Sequence, residues 1–310
     1  MTTRPIQRQG DNVVLAILLS LVALVLFQSM GLVIKHLSPR FSAAELSAWR
    51  NFFGLFPSGI ALLSSRAWHQ NGRTLKLRQW KLAFARGLSV SFAQLFFYVS
   101  LGTMAYATAT TITYANALFM TALAIPILGE KVGPVRWFAV LIGFAGVVLV
   151  MNPTAETFQI ATLAPLGSAL LYALSGISSR LIDPEVPSPL INLYSVSISM
   201  ITSLVIAALT GGFSPITTWS DAFWLLAMGT FGGTAVLVMV ISFRMTEQSN
   251  LAPFTYFGIP VAFIFGWLFF GETPFNTLFP GGLLIMIGGL TVIWRERMKK
   301  KTSAAAPPEA

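Results

Sequence analysis

The chain has 310 residues, of which 55% are hydrophobic and 10% charged, a formal net charge of +9 and no cysteine. With a mean hydropathy of +0.73, most of its surface must face lipid. This leaves no room for a separate soluble domain, excludes disulfides and cysteine-based metal or cluster sites, and argues against nucleic-acid binding, because the basic residues flank apolar runs and act there as orientation signals.

A bilayer core about 30 Å thick needs roughly 20 helical residues, and the apolar runs predict ten spans. Arg4 and Arg8 precede the first, 13–34, which is longer than a signal-peptide core and lacks a following small-residue cleavage site, so it reads as a retained span. Spans follow at 43–64, 81–101, 105–128, 134–151, 160–180, 188–210, 221–243, 249–270 and 277–294, with short connections apart from the basic stretch Arg66 to Lys81. Residues 295–310 read as a disordered basic tail. With the N-terminus inside, sixteen Lys and Arg fall on the inside, only Lys35 and Arg40 fall outside, and Arg50 and Arg86 lie within spans. That bias predicts both termini cytoplasmic and supports an even number of helices; the expected location is a bacterial inner membrane, as a multi-pass protein.

The fourth span has a second copy. Residues 105–130 return 142 positions later at 247–272, which sets Thr255-Tyr256 on Thr113-Tyr114 and Gly271-Glu272 on Gly129-Glu130. Further back, Lys35 and Pro39 match Arg180 and Pro184 at an offset of 145, and the change of offset falls in the long basic loop. Each half, 13–151 and 160–294, therefore holds five spans. Five is odd, so the second half enters from the opposite side, an inverted repeat about a pseudo-two-fold axis in the membrane plane.

These halves resemble the EamA-type repeats of the drug/metabolite transporter superfamily. The resemblance rests on the Arg50 position early in the second span, the small and polar residues opening the fourth and ninth, the Gly-Glu closing each, Gly143-Phe-Ala-Gly146 and Gly288-Gly289. It implies an all-α membrane protein of ten helices in two inverted five-helix repeats, with a central cavity lined by spans 1, 3, 4, 6, 8 and 9. It says little about cargo. One departure stands out: Asn116-Ala117-Leu118 occupies the place where the second repeat keeps Pro260, so the two half-sites are expected to differ.

No Asp or Glu lies near mid-span, since Glu45, Glu130, Asp221, Glu247 and Glu272 all sit close to ends, and His36 and His69 are peripheral. Buried carboxylates or histidines are the usual proton carriers, so uniport or exchange is expected over proton coupling. A cationic substrate would have only aromatic faces to hold it. Arg50 reads either as an anion contact at the cavity mouth or as a structural residue bonded to helix-end carbonyls or Glu45. Arg86 either snorkels or contacts substrate.

Polar stripes at helical spacing add candidates: Ser91, Gln94 and Tyr98 in the third span, and Ser168, Tyr172, Ser175 and Ser179 in the sixth. Thr113, Tyr114 and Asn116 in the fourth span, with Thr255 and Tyr256 in the ninth, complete the set. Lipid cannot satisfy such groups, so they face a cavity or another helix. Gly229 and Gly233 form a close-packing GxxxG pair, Pro253 and Pro260 mark a bend, and both Gly-Glu pairs read as helix ends.

Phosphate loops, GxSxG and HExxH motifs are missing, which argues against an enzyme, and nothing calls for a cofactor or resident metal. The expected function is secondary transport of a small neutral, zwitterionic or anionic metabolite, such as an amino acid leaving the cell, by alternating access. The alternatives are an importer or exchanger of a nucleoside-like cofactor such as S-adenosylmethionine, and a non-transporting scaffold or lipid-handling protein. The expected partners are the small-molecule substrate and the lipid bilayer, with the chain acting as a monomer or a homodimer.

Overall fold

The computed structural model describes residues 13–129, 133–151, 163–183, 185–245, 251, 254–273 and 279–305. Glu130, Glu247, Pro184, Pro253 and the side chain of Arg180 lie outside the described residues. Twelve helices form among the described residues: α1 (Val13–Leu37), α2 (Ala43–Leu63), the short α3 (Arg66–Gln70) in the basic loop, α4 (Trp80–Thr103), α5 (Tyr106–Thr113), α6 (Asn116–Leu128), α7 (Pro134–Met151), α8 (Ala164–Leu181), α9 (Ser188–Leu209), α10 (Trp219–Met245), α11 (Gly258–Phe270) and α12 (Gly281–Ala305). With α5 and α6 counted as one broken span and α3 set aside, ten crossings result.

Five segments are long and apolar enough to cross a membrane by length and composition: Val13–Leu37, Trp80–Thr103, Tyr106–Leu128, Ser188–Leu209 and Trp219–Met239. Neither α2 nor α8 is among them. Glu45, Arg50 and Asn51 on α2, and the serines of α8, lower their hydropathy, which marks them as helices that spend polar residues inside the bundle. Outward faces are apolar, with Phe56, Phe138 and Trp267 all largely exposed. The backbone of α12 continues beyond the expected span end near 294, and helix replaces the unstructured tail expected from 295 as far as Ala305. Lys, Arg, Glu and Met there are good helix formers.

Local chemistry sets the helix ends. Ser42 and Glu45 form a reciprocal capping box at the start of α2. Gly129 and Gly271 end α6 and α11 in the left-handed conformation, at φ 67° and 61°, as the repeated Gly-Glu predicted for both.

The packing displays the duplication. Helix α1 lies on α10 as α8 lies on α4, α2 lies on α10 as α9 lies on α4, and the axis pairs are α2 with α9 and α7 with α12. One detail fixes the register. A Cβ at Gly87 of α4 would lie 2.6 Å from Ile198 of α9, and one at Gly229 of α10 would likewise collide with Phe53 of α2. Phe53 and Ile198 are 145 residues apart, and Gly87 and Gly229 are 142 apart, the same two offsets that align the halves. Gly233, one turn on from Gly229, receives Pro57 of the same helix, so the GxxxG pair works as a close-packing face.

Helices α7 and α12 meet backbone to backbone. A Cβ at Gly146 would stand 2.5 Å from the Gly281 carbonyl oxygen, and one at Gly288 2.6 Å from that of Ala139. Backbone cannot swing away, so Gly146→Val is expected to cost about 3 kcal/mol, the upper end for overpacking. The check is the thermal midpoint of the detergent-solubilised protein, with Gly59→Ala, where nothing lies within 4 Å, as the silent control.

Candidate functional site

Both copies of Thr-Tyr lie at breaks in their spans. Tyr114 and Ala115 form a turn between α5 and α6, and Tyr256 and Phe257 form one before α11. In each, the ladder tightens to i→i+3: Ala115 N–H donates to the Ile112 carbonyl and Leu118 N–H to Ala115, while Phe257 N–H donates to Phe254 and Ile259 N–H to Tyr256. Pro260 explains the second break, since it has no N–H for the Tyr256 carbonyl. The first break forms without proline. The side chains do differ. Leu118 packs into Gly143, and the Tyr256 hydroxyl lies against Gly289 of α12, whereas Tyr114 turns towards Gly258.

Gln28 of α1 ties the two breaks together. Its side-chain amide donates to the Gly258 carbonyl at 2.9 Å and to the Tyr114 hydroxyl at 3.3 Å, and Tyr106 donates its hydroxyl to Gln28. The Tyr114 and Tyr256 rings stand 6.1 Å apart. An amide in the middle of an apolar first span is the signal in the sequence that marks it, and Gln28 is not among the candidates that the polar stripes pick out. Among the other candidates of this region, Thr113 bonds the Ala109 carbonyl of its own helix, and Asn116 and Thr255 are half-buried beside the breaks.

A second cluster lies on α2, α4, α8 and α9. Arg50, 7% exposed, donates through Nη1 to Asn51 at 2.9 Å. Asn51 donates to Gln94 at 2.9 Å and to Ser47 at 3.2 Å, and Ser203 of α9 donates to Ser47 at 2.8 Å. Tyr98 and Tyr172 stand within electrostatic range of each other and of Arg50. Among the described residues no carboxylate pairs with Arg50, and its Nε has no hydrogen-bond partner. The Tyr98 hydroxyl and Ser91 Oγ are buried and likewise unpartnered.

Glu45 does not neutralise Arg50, contrary to one of the structural roles considered for it. Its carboxylate is held by the backbone N–H groups of Ser42, at 2.6 Å, and Ser214. Asp221 pairs with Arg40, and Glu272 pairs with Lys35 at 3.0 Å while accepting from Tyr106 N–H at 2.8 Å. Each of these acids serves a helix end. Arg86 bonds Ser195 on α9, and Ser175 bonds the Tyr172 carbonyl of its own helix.

Arg50, Gln94, Tyr98 and Tyr172 thus come together, Tyr114 and Tyr256 form a separate group around Gln28, Thr113 and Ser175 bond the backbone of their own helices, and Arg86 bonds a neighbouring helix. Helix α2, outside the lining implied by resemblance, contributes Arg50 to the first cluster. A groove of about 350 Å³ along Phe52, Phe56 and Ile60 faces outward on α2 and belongs to neither cluster.

A model of the EamA-like transporter family matches residues 14–152 and again 159–294. The chain belongs to that family. This EamA-like chain is 25% identical over 283 residues to an S-adenosylmethionine uptake transporter of Rickettsia bellii, covering 91% of this chain and 94% of the relative. It is 31% identical over 178 residues to a riboflavin transporter of Rhizobium johnstonii, covering 57% and 58%. Human solute carrier family 35 member G1 is 24% identical over 303 residues, covering 92% and 81%. A solved structure sharing 18% identity superposes with a TM-score of 0.63 over 93% of this chain and 99% of that one, which speaks to the fold alone. The protein is therefore a transporter and not an enzyme, an all-helical membrane protein with duplicated halves.

Proposed function

We propose that this EamA-like carrier moves an organic metabolite that joins a carboxylate to a ring system, with S-adenosylmethionine as the leading candidate, by alternating access without a proton relay. The observation that carries the reading is Arg50: a buried guanidinium, unpaired with any described carboxylate, within electrostatic range of two tyrosines. A cation held in hydrocarbon costs at least about 2.5–3.5 kcal/mol, and a substrate carboxylate is the partner that would offset it. Tyrosines near such a cation are the residue type that a substrate's ring or sulfonium takes as partner. The relatives move the weight from a small amino acid leaving the cell towards uptake of a nucleoside-like compound. Helix-end use of the described acids supports exchange or uniport over proton coupling, and the distribution of Lys and Arg supports cytoplasmic termini.

Riboflavin is the second reading, favoured by the tyrosines and by the riboflavin-transporting relative, but it has no carboxylate for Arg50. Purified protein in liposomes, offered labelled S-adenosylmethionine, methylthioadenosine, methionine and riboflavin with and without a pH gradient, separates the readings. Counterflow of S-adenosylmethionine and none of methylthioadenosine, which keeps the nucleoside and lacks the carboxylate, is the expected result. Equal flux of both removes the role of Arg50, riboflavin flux alone favours the second reading, and no flux leaves a scaffold. Accumulation driven by the pH gradient would overturn uncoupled transport.

A further inference from the structure

We propose that Arg86 is a second carboxylate station, placed at the pseudo-symmetric image of the interface that holds Arg50, so that the substrate's carboxylate passes between two guanidiniums belonging to opposite faces of the membrane. This rests on the carrier reading above and adds to it a second site with its own sidedness.

The two arginines share a pattern of contacts. Each donates through Nη1 to one neutral side chain, Asn51 for Arg50 and Ser195 for Arg86, each keeps a buried Nε with no hydrogen-bond partner, and neither pairs with a carboxylate among the described residues. They also lie at equivalent interfaces of the two halves. Ser195 is the residue that the 145-residue offset sets on Arg50. Gly87, next to Arg86, receives Ile198 as Gly229 receives Phe53, so the contact of α4 with α9 is the image of the contact of α10 with α2. In the one interface the arginine comes from α2; in the other it comes from α4. Because the halves are inverted, images lie on opposite sides of the midplane.

Helix α4 joins the two stations. Ser91, Gln94 and Tyr98 follow Arg86, and the 12 residues from Arg86 to Tyr98 rise about 18 Å. Ser91 Oγ and the Tyr98 hydroxyl are buried without partners, and Gln94 belongs to the Arg50 cluster. One carboxylate cannot neutralise both cations at once. Its two resting places therefore favour two different arrangements of the bundle, and a ligand with such differential contacts is what shifts a carrier between outward- and inward-open states.

The test uses the full chain in liposomes of determined orientation, with labelled S-adenosylmethionine as probe and half-saturation measured from each face. Arg86→Gln is expected to raise the half-saturating concentration about tenfold or more on the face where α4 begins, with a several-fold smaller change on the face of Arg50 and partial recovery in Arg86→Lys. Ser195→Asp, which gives Arg86 an internal carboxylate without emptying the site, is expected to reproduce the one-sided loss, and it decides the matter should Arg86→Gln fail to fold. Unchanged half-saturation on both faces, or equal loss on both, overturns the proposal while leaving an Arg50-dependent carrier intact. A probe that the unmodified protein does not move overturns the proposal and the carrier reading together.

Discussion

Arg50→Gln is expected to lose transport while keeping, or gaining, thermal stability. A group that serves only structure gives the opposite pattern. Truncating one member of a buried charge-assisted pair costs about 2–5 kcal/mol of binding, a factor of about 30 to several thousand in affinity, and the carboxylate of S-adenosylmethionine has no other described cation in its cluster. The apo protein meanwhile holds a guanidinium that nothing described neutralises, and glutamine removes that charge while retaining a donor for Asn51. The Asn51–Gln94–Ser47–Ser203 chain of hydrogen bonds does not pass through Arg50 and stays intact. Flux and thermal midpoint measured on the same preparation decide the point. A fall of more than a few degrees in the midpoint with flux retained would make Arg50 a structural residue and remove the carboxylate from the proposed substrate.

The outline of the fold is legible in the sequence because lipid makes its rules simple. A span needs a long uncharged run, and a duplicated span leaves Thr-Tyr and Gly-Glu in one register. The left-handed glycines at 129 and 271 follow from the same reading. The breaks at Tyr114 and Tyr256 were only half visible. Pro260 signals one, but nothing in Asn116-Ala117-Leu118 signals the other, which tertiary packing of Leu118 into Gly143 and the bond from Gln28 to Tyr114 hold in place. Side-chain direction was hidden too. Helical spacing puts Ser175 on a polar stripe, yet its hydroxyl bonds the Tyr172 carbonyl, an option open to any helical serine and silent in sequence. Tyr256 shares a repeat position with Tyr114, and the glycine at 289 draws its hydroxyl against α12. The Arg50 cluster needed contacts between α2, α4 and α9 that no single stripe encodes.

Glu272→Gln is expected to loosen one face of the carrier, an effect that exceeds the loss of an ordinary cap. The Glu272 carboxylate follows the left-handed Gly271 at the end of α11, accepts from the N–H groups of Tyr106 at 2.8 Å and Ala107 at 3.4 Å at the start of α5, and pairs with Lys35 of α1 at 3.0 Å. Lys35 in turn donates to the Met104 carbonyl at 2.6 Å. Three helices, two of them leading to the Thr-Tyr breaks, are thereby closed by one carboxylate, and Arg40, in the turn after α1, pairs with Asp221 at the start of α10. Glutamine keeps the shape and removes the charge that both the N-terminal dipole of α5 and Lys35 favour, at a cost of about 3 kcal/mol. The chain has no native cysteine, so a single Thr110→Cys, one turn inside Tyr106 and 5% exposed, reports opening through labelling by a membrane-impermeant maleimide. Each loss of about 1.4 kcal/mol from the closed arrangement multiplies the open population about tenfold, so labelling is expected to accelerate at least that much. Lys35→Gln alone should accelerate it as well, and the double substitution should add little to Glu272→Gln, as two members of one pair require. A lowered thermal midpoint with unchanged labelling would leave Glu272 a helix cap and place the closure of this face elsewhere.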